Sequence, residues 1–549
     1  MTGRPSPAPP APFPLTRRSF FGAGAASLGA LAASPLAAQD ASRGFTHGIA
    51  SGEPAAHSVM LWTRFVAIEP TLVRFEVSGS EDFARIVSGG EVEAELNRDW
   101  CAKAVATELQ PGTWYYYRFV APDGSMSPVG RTRTLPEGPT DRFRMAVFSC
   151  SNMGFGWFNA YRHACEADGF DLAVHLGDYF YEYKYGEYPS LANAVEGRIA
   201  APREETVHLA EYRLRYASYR RDPDLARLHQ LYPMISIWDD HESADNSWKG
   251  GAVNHQPDSE GPWAVRKAAA MRAYREWMPV SEANWAQYQV GDLATLFRLE
   301  TRLTARDKQL DVAAAVKGVP ADRLGQALAQ FKTREWENPA RDMIGPFQQQ
   351  WLATGMKDSV ASGRKWQVLV QQVVMGSLLL PPQIAQGLPA SAPEAVRKGV
   401  AAAMMTARAG IPFNMDSWDG YPAARTRVLG AAREANANLV VLSGDSHNAW
   451  ACELQGAGIE FAGQAVTSPG YESIVTWKAP DEMARELVAS SPDLKWAETA
   501  SRGYMAVELT PARASCEWRF MDTVRKRSDR LAKTHTMGAD FGARTFSAT

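Results

Sequence analysis

Four short segments, far apart in the chain, carry side chains able to bind metal or move protons. They are Cys150 after Ala146-Val147-Phe148, Asp178 and Tyr181 after Leu172 to Leu176, Asp239-Asp240-His241-Glu242 after Met234 to Ile237, and Asp445 and His447 after Leu439 to Leu442. An aspartate followed three residues later by a tyrosine can offer a carboxylate and a phenolate to one cation, and Asp178 can bridge two. The chemistry open to such a set is metal-assisted hydrolysis, in which paired cations clamp a phosphate and activate a water.

The elements that must position these groups follow from the apolar pattern. Met145-Ala146-Val147-Phe148, Leu172-Ala173-Val174-His175-Leu176, Met234-Ile235-Ser236-Ile237 and Leu439-Val440-Val441-Leu442 read as buried strands alternating with helical stretches. Each ends in polar residues, as expected where ligands gather at strand C-termini in an α/β fold. Before them, residues 43–135 carry short β-rich runs such as Leu72 to Val77 and the aromatic Trp114 to Val120, separated by turn residues. That pattern predicts a small all-β, immunoglobulin- or fibronectin-like domain. Pro136-Glu137-Gly138-Pro139 is the linker, residues 140–525 the catalytic domain, and 526–549 a C-terminal tail. Residues 303–360 and 379–412 read as insertions around the core.

The 549 residues, 45% hydrophobic and 22% charged, exclude a disordered, collagenous or coiled-coil chain. A net charge of -3 creates no field that predicts nucleic-acid binding. The five cysteines lie far apart with no C-x-x-C pair, so neither a zinc knuckle nor a dense disulfide framework is expected. Arg17-Arg18 ahead of a Gly/Ala-rich apolar run to Leu36, with Leu36-Ala37-Ala38 for cleavage, reads as a twin-arginine (Tat) export signal over residues 1–38. The Tat translocon is then a partner during export, and the mature chain is periplasmic or secreted, with no transmembrane segment.

The order G-D-x-x-Y, D-H-E, G-D-x-H is similar to the two-metal phosphoesterase layout, and the chain resembles the alkaline phosphatase D (PhoD) family. The residues that carry the resemblance are Ala50-Ser51-Gly52-Glu53-Pro54, Leu61-Trp62-Thr63-Arg64, Phe148-Ser149-Cys150, His175-Leu176-Gly177-Asp178-Tyr179, Trp238-Asp239-Asp240-His241-Glu242, Gln372-Val373-Val374-Met375, Asp416 to Pro422 and Gly444-Asp445-Ser446-His447. The resemblance implies a four-layer metallophosphoesterase core of sandwiched β-sheets flanked by helices, preceded by the small β-domain. It also implies hydrolysis of phosphomonoesters or phosphodiesters with Fe3+ and Ca2+. Against that expectation, Cys150, Tyr181, the shared Asp178 and neutral His447 sum to about -3, which suits a ferric ion. Asp178, Asp240, Asp445 and an amide oxygen of Gln372 or Gln371 form an all-oxygen set that suits calcium.

The expected mechanism is attack of a metal-bound hydroxide on phosphorus. His241 is expected at the substrate, although its spacing equally allows it to protonate the leaving oxygen or orient Asp240. Arg64 is a candidate phosphate contact, or simply the end of a sandwich strand. His175, Tyr179, Tyr183, Asp416 and Asp419 read as packing or loop-stiffening residues, Asp239 as a partner behind the ligands, and Ser446 as turned away between two ligands. The basic residues from Arg525 to Lys533 read as a solvated helix face. Two rival functions stand beside this one: an oxidoreductase built on the ferric centre, and a calcium-dependent surface-binding module that uses the β-sandwich for adhesion, without turnover.

Overall fold

The protein is described as a computed structural model over residues 43–412 and 414–547. The expected export segment, residues 1–38, lies outside the described residues. Among those residues, no helix is long and apolar enough to cross a membrane.

Two large sheets face each other. The first has nine strands in the order Leu531–Asp540, Arg513–Met521, Gly503–Leu509, Phe143–Phe148, Leu172–His175, Pro233–Ser236, Gly44–Gly52, Val59–Val66 and Cys101–Ala106. The second has seven, in the order Ala286–Val290, Ala294–Arg298, Trp366–Val370, Leu439–Ser443, Gly458–Ala462, Ala449–Glu453 and Leu494–Glu498. Met145, Val147, Leu172, Val174 and Ile235 of the first sheet pack against Leu296, Val368, Val370, Val440 and Leu442 of the second. The alternate residues, Ala146, Phe148 and Ala173 on one side and Leu369 and Val441 on the other, face helices instead. Because both faces of every central strand are covered, these strands are apolar throughout, which is the unbroken pattern seen in the sequence. The result is the expected four layers: helix, sheet, sheet, helix.

The small β-domain is present, with one difference from a free-standing sandwich. Its outer sheet is the four-stranded Ile86–Ala94, Thr71–Ser78, Trp114–Val120 and Gly130–Arg133. Its inner sheet is the far edge of the nine-stranded sheet, where Ser51 and Gly52 pair in parallel with Pro233 and Met234. Gly52 permits that junction, since a Cβ there would sit 2.8 Å from the Met234 carbonyl oxygen. Val59, Leu61, Val73, Phe75 and Tyr117 fill the space between the two sheets.

Two further segments depart from the sequence reading. Helix Gly345–Ala361, inside one expected insertion, belongs to the outer layer of the core, burying Leu352 and Met356 beside Phe297 and Leu369. Near the C-terminus, Leu531–Asp540 is a strand rather than a tail or helix face, paired antiparallel with Arg513–Met521 at the sheet edge. Its solvated face carries polar residues that leave little apolar signal to read.

Candidate metal centre

The strands Phe143–Phe148, Leu172–His175 and Pro233–Ser236 are adjacent and parallel, so their C-terminal ends lie at one edge. Trp366–Val370 and Leu439–Ser443 are likewise parallel neighbours in the second sheet. The loops that leave these ends meet, and they carry the candidate ligands. Cys150, Asp178, Asp445 and His447 all hold left-handed backbone, with φ of 59°, 54°, 60° and 61°. Non-glycine residues adopt this region rarely, and such strain concentrates at functional sites where the surroundings enforce it. Gly177, at φ 107°, lets the Asp178 loop pass against Asp239, where a Cβ would overlap the aspartate side chain.

Ligand-type atoms of Cys150, Asp178 and His447 lie within 4.8 Å of one another. The Tyr181 hydroxyl joins them, 3.0 Å from Asp178 Oδ2 and 3.1 Å from His447 Nε2. His447 is oriented by its other nitrogen, Nδ1, which is 2.8 Å from the Pro469 carbonyl oxygen. That bond leaves Nε2 with a lone pair aimed at the group. Burial holds the imidazole down to about 4, against the pull of the Pro469 bond, so it is neutral at physiological pH. Burial pushes the Cys150 thiol and the Tyr181 phenol up, and the Asp178 carboxylate beside them adds to both shifts.

Two more groups share these residues. Asp178, Asp240 and His241 form one, and Asp239, Asp240 and Asp445 the other, each again within 4.8 Å. Asp178 Oδ1, Asp240 Oδ1 and Asp239 Oδ2 are buried without a hydrogen-bond partner. Buried carboxylate oxygens are costly unless paired, and a cation is what satisfies several at one point. The donor set therefore fits two cations: one for a thiolate, phenolate, imidazole and carboxylate, the other for carboxylates alone.

Two predicted residues are engaged elsewhere. Arg64 donates to the Asp99 carbonyl at 2.8 Å, to Asp99 Oδ1 at 2.9 Å and to Thr46 Oγ1 at 3.1 Å, and lies over the Trp277 ring. These are contacts within the small domain and at its border, and strand pairing of Arg64 with Cys101 keeps it there. Gln372 lies behind the cluster, its Oε1 accepting from Thr301 at 2.7 Å and its Nε2 donating to the Trp238 carbonyl at 2.7 Å. Gln371 spends its amide on Trp418 and on the Val373 carbonyl. Ser446 Oγ accepts from Trp450 Nε1 at 2.7 Å, turned away from the ligands. His175 is buried against Tyr161 and Ser151, and burial holds it down to about 3.

Glu182 and Arg302, which sequence reading missed, and Glu242, to which it gave no role, complete the site. Glu182 Oε2 lies 2.7 Å from His241 Nδ1, and its Oε1 accepts from Asp245 N and Asn254 Nδ2. Glu242 accepts from the backbone amides of Asp178, Tyr179 and Asp239, stapling two strand-end loops together. Arg302, fully buried, donates to Asp239 Oδ1 from its Nε, to Asp416 at 2.6 Å and to Asp445 at 3.0 Å, and stands 3.7 Å from Asp240. The four carboxylates in turn raise the affinity of Arg302 for its proton, although burial opposes the charge. Glu182 sits one residue after a candidate ligand and was open to inspection, whereas Arg302 lies in a loop with no motif around it.

The four-layer fold, with Asp178 shared between two candidate donor groups, is that of a metal-dependent phosphoesterase. The PhoD-like phosphatase family matches residues 145–518 and its N-terminal domain matches residues 30–136, so this chain belongs to the PhoD-like phosphatase family. It is 31% identical over 513 residues to alkaline phosphatase D of Bacillus subtilis (strain 168), covering 87% of this chain and 78% of that one. A solved structure of PhoD is similar at a TM-score of 0.74 and 29% identity, with 92% of each chain covered. The protein is accordingly a phosphoric ester hydrolase that acts on phosphate esters and uses metal cofactors.

Proposed function

We propose that the protein is an exported phosphoesterase that hydrolyses phosphomonoesters and phosphodiesters at an Fe3+ and Ca2+ centre. The observation that carries this reading is the convergence of Cys150, Asp178, Tyr181 and His447 beside the all-carboxylate group of Asp239, Asp240 and Asp445. Cys150, Asp178, Tyr181 and His447 would hold the ferric ion, and Asp178, Asp240 and Asp445 the calcium. Bound there, the two cations supply charge neutralisation at phosphorus and acidify a water.

The chain's own residues supply positioning and proton transfer. Glu182 fixes the His241 ring through Nδ1, and His241 presents a ring nitrogen within 4.8 Å of carboxylate oxygens of Asp178 and Asp240. Burial disfavours the imidazolium, yet Asp240, Asp178 and Glu182 together keep its proton affinity well above the ordinary histidine value. With Asp178 and Asp240 holding cations, the Glu182 anion would be what favours the imidazolium, and His241 would then hand a proton to the departing alkoxide. The twin-arginine segment Arg17-Arg18 and its Gly/Ala-rich apolar run support export through the Tat translocon.

The test is elemental analysis of untreated purified protein, with its absorption spectrum and paired assays on nitrophenyl phosphate and bis-nitrophenyl phosphate. Iron with calcium, a visible tyrosinate or thiolate band, and release from either ester are expected. Zinc alone with no visible band would overturn the metal assignment, and no release from any ester the activity.

A further inference from the structure

Beside the metal centre, a cleft of about 620 Å³ runs between the helices Val312–Val316, Leu324–Phe331 and Glu394–Arg408. Leu310, Val312, Val316, Leu328, Met405 and Met415 line it. Leu328 and Met415 are buried, while the other four remain half-buried on its walls. Val253, 61% exposed, stands at its mouth. Among the described lining residues Lys308 is the one cation, and its ammonium lies over the Trp248 ring.

One end of this cleft is the outer wall of the metal centre. Asn246, Gln309 and Asp416 line it there. The Asn246 backbone N–H donates to Asp240 Oδ2 at 2.7 Å, and Asp416 Oδ2 accepts from Arg302 at 2.6 Å. Gln309 ties the two loops together, donating from Nε2 to the Asn246 carbonyl at 3.1 Å and to Asp416 Oδ1 at 2.5 Å. Its own Oε1 is buried without a partner.

We propose that this cleft is a specificity subsite that takes the extended apolar group of a phosphoester whose phosphate lies at the metal centre. The inference rests on the phosphoesterase reading and names its substrate class: esters with a long alkyl or aryl group, in preference to those of small polar alcohols. Its volume is in the range of organic-ligand sites, which run from about 300 to 1,000 Å³. Apolar walls reward burial of carbon, and they have few cations to hold a second phosphate or a polyanion. Asn246 and Asp416 line the cleft and also touch Asp240 and Arg302, so an apolar group in the cleft would lie next to a phosphate at the metal centre, and binding energy from the cleft would help orient the ester.

A homologous series of nitrophenyl alkyl phosphodiesters, from methyl through butyl to octyl, tests this on the metal-loaded enzyme. Each methylene buried in the cleft favours the longer ester, so kcat/KM should rise at least about tenfold from methyl to octyl. Octylphosphonate should inhibit at least about tenfold more tightly than methylphosphonate, a binding readout that needs no variant. Val316→Lys and Met405→Gln, made separately, should flatten the dependence on chain length. Equal kcat/KM for methyl and octyl esters, with equal inhibition by the two phosphonates, would overturn the subsite while leaving the phosphoesterase reading intact. Absence of hydrolysis across the whole series and of the paired nitrophenyl esters would remove both.

Discussion

The Tyr181 hydroxyl lies 3.1 Å from His447 Nε2, although 266 residues separate them in the chain. Tyr181 leaves the nine-stranded sheet and His447 the seven-stranded one, so their meeting joins the two halves of the sandwich at its ligand-bearing edge. Ser468 Oγ donates to the same phenol oxygen at 2.8 Å, and the Tyr181 ring packs 4.1 Å from the His241 ring centroid. A phenol held this firmly, with its acidity suppressed by burial and by Asp178, ionises when a cation supplies the compensating charge.

Tyr181→Phe therefore should remove the tyrosinate part of any visible band, leaving only what the Cys150 thiolate contributes, and lower iron content while leaving calcium in place. Activity should fall by at least about 10²-fold, the scale on which metal-site perturbations act. The absorption spectrum and metal content of one preparation check this together. A Phe variant with full colour would remove Tyr181 from the ligand set.

Glu182→Gln keeps the size of the side chain and removes one of the anions facing His241. With that charge gone, the imidazolium loses its proton at lower pH. The alkaline limb of kcat should move to lower pH, and kcat should drop about 10²-fold if the proton on Nε2 serves the leaving group. Metal content should not change. A pH–rate profile identical to the parent's would leave Glu182 with a purely structural role.

Arg302→Met strips the common cation from Asp239, Asp416 and Asp445. Removing one member of a buried charge cluster costs about 3–5 kcal/mol, so the midpoint of unfolding should fall clearly. Added calcium should recover part of the loss, since it replaces positive charge at the same carboxylates. Thermal unfolding with and without calcium measures both effects.

Chelation should change the sign of the stability response to pH. Burial raises Asp239 from the ordinary 3.8 to about 6 despite Arg302. Burial also raises Asp178, where Asp240 adds to the shift and His241 opposes it, and Asp445, where Asp239 adds and Arg302 opposes. In metal-free folded protein these acids retain protons that the unfolded chain has released, so stability falls as pH rises through that window. Thermal unfolding at about pH 5 and about pH 8 should show a larger gap between loaded and chelated protein at the higher pH. An equal gap at both would mean that cations do not act through these carboxylates.

Ser446→Ala should leave kcat within about twofold of the parent, because the hydroxyl faces Trp450 rather than the ligands. Its cost is the unpaired indole N–H, about 1–3 kcal/mol of stability. Loss of activity without loss of stability would instead point to a serine nucleophile.

The strand ends that carry the donors were legible because buried parallel strands are apolar on both faces and stop abruptly at polar residues. Cys150, Asp178, Tyr181, Asp240, Asp445 and His447 follow such ends and come together in the structure. Gln372 follows one too, yet its amide turns to Thr301 and the Trp238 carbonyl. Position after a strand does not fix side-chain direction. Arg64 shows the same limit: its charge is satisfied locally by Asp99, a pairing that depends on a neighbouring strand and its turn.

What the sequence by itself determined is the alternation of buried strands with helices and the chemical kind of each donor, since periodicity and residue type are local properties, while the four layers were what the family resemblance implied. Tertiary structure alone decided that Arg302 sits among four carboxylates, that Glu182 holds His241, and that the small domain's inner sheet continues into the core through Gly52 and Met234. Each of those outcomes depends on the approach of segments distant in the chain, where distance and burial rather than spacing set the energy of a charge or a hydrogen bond.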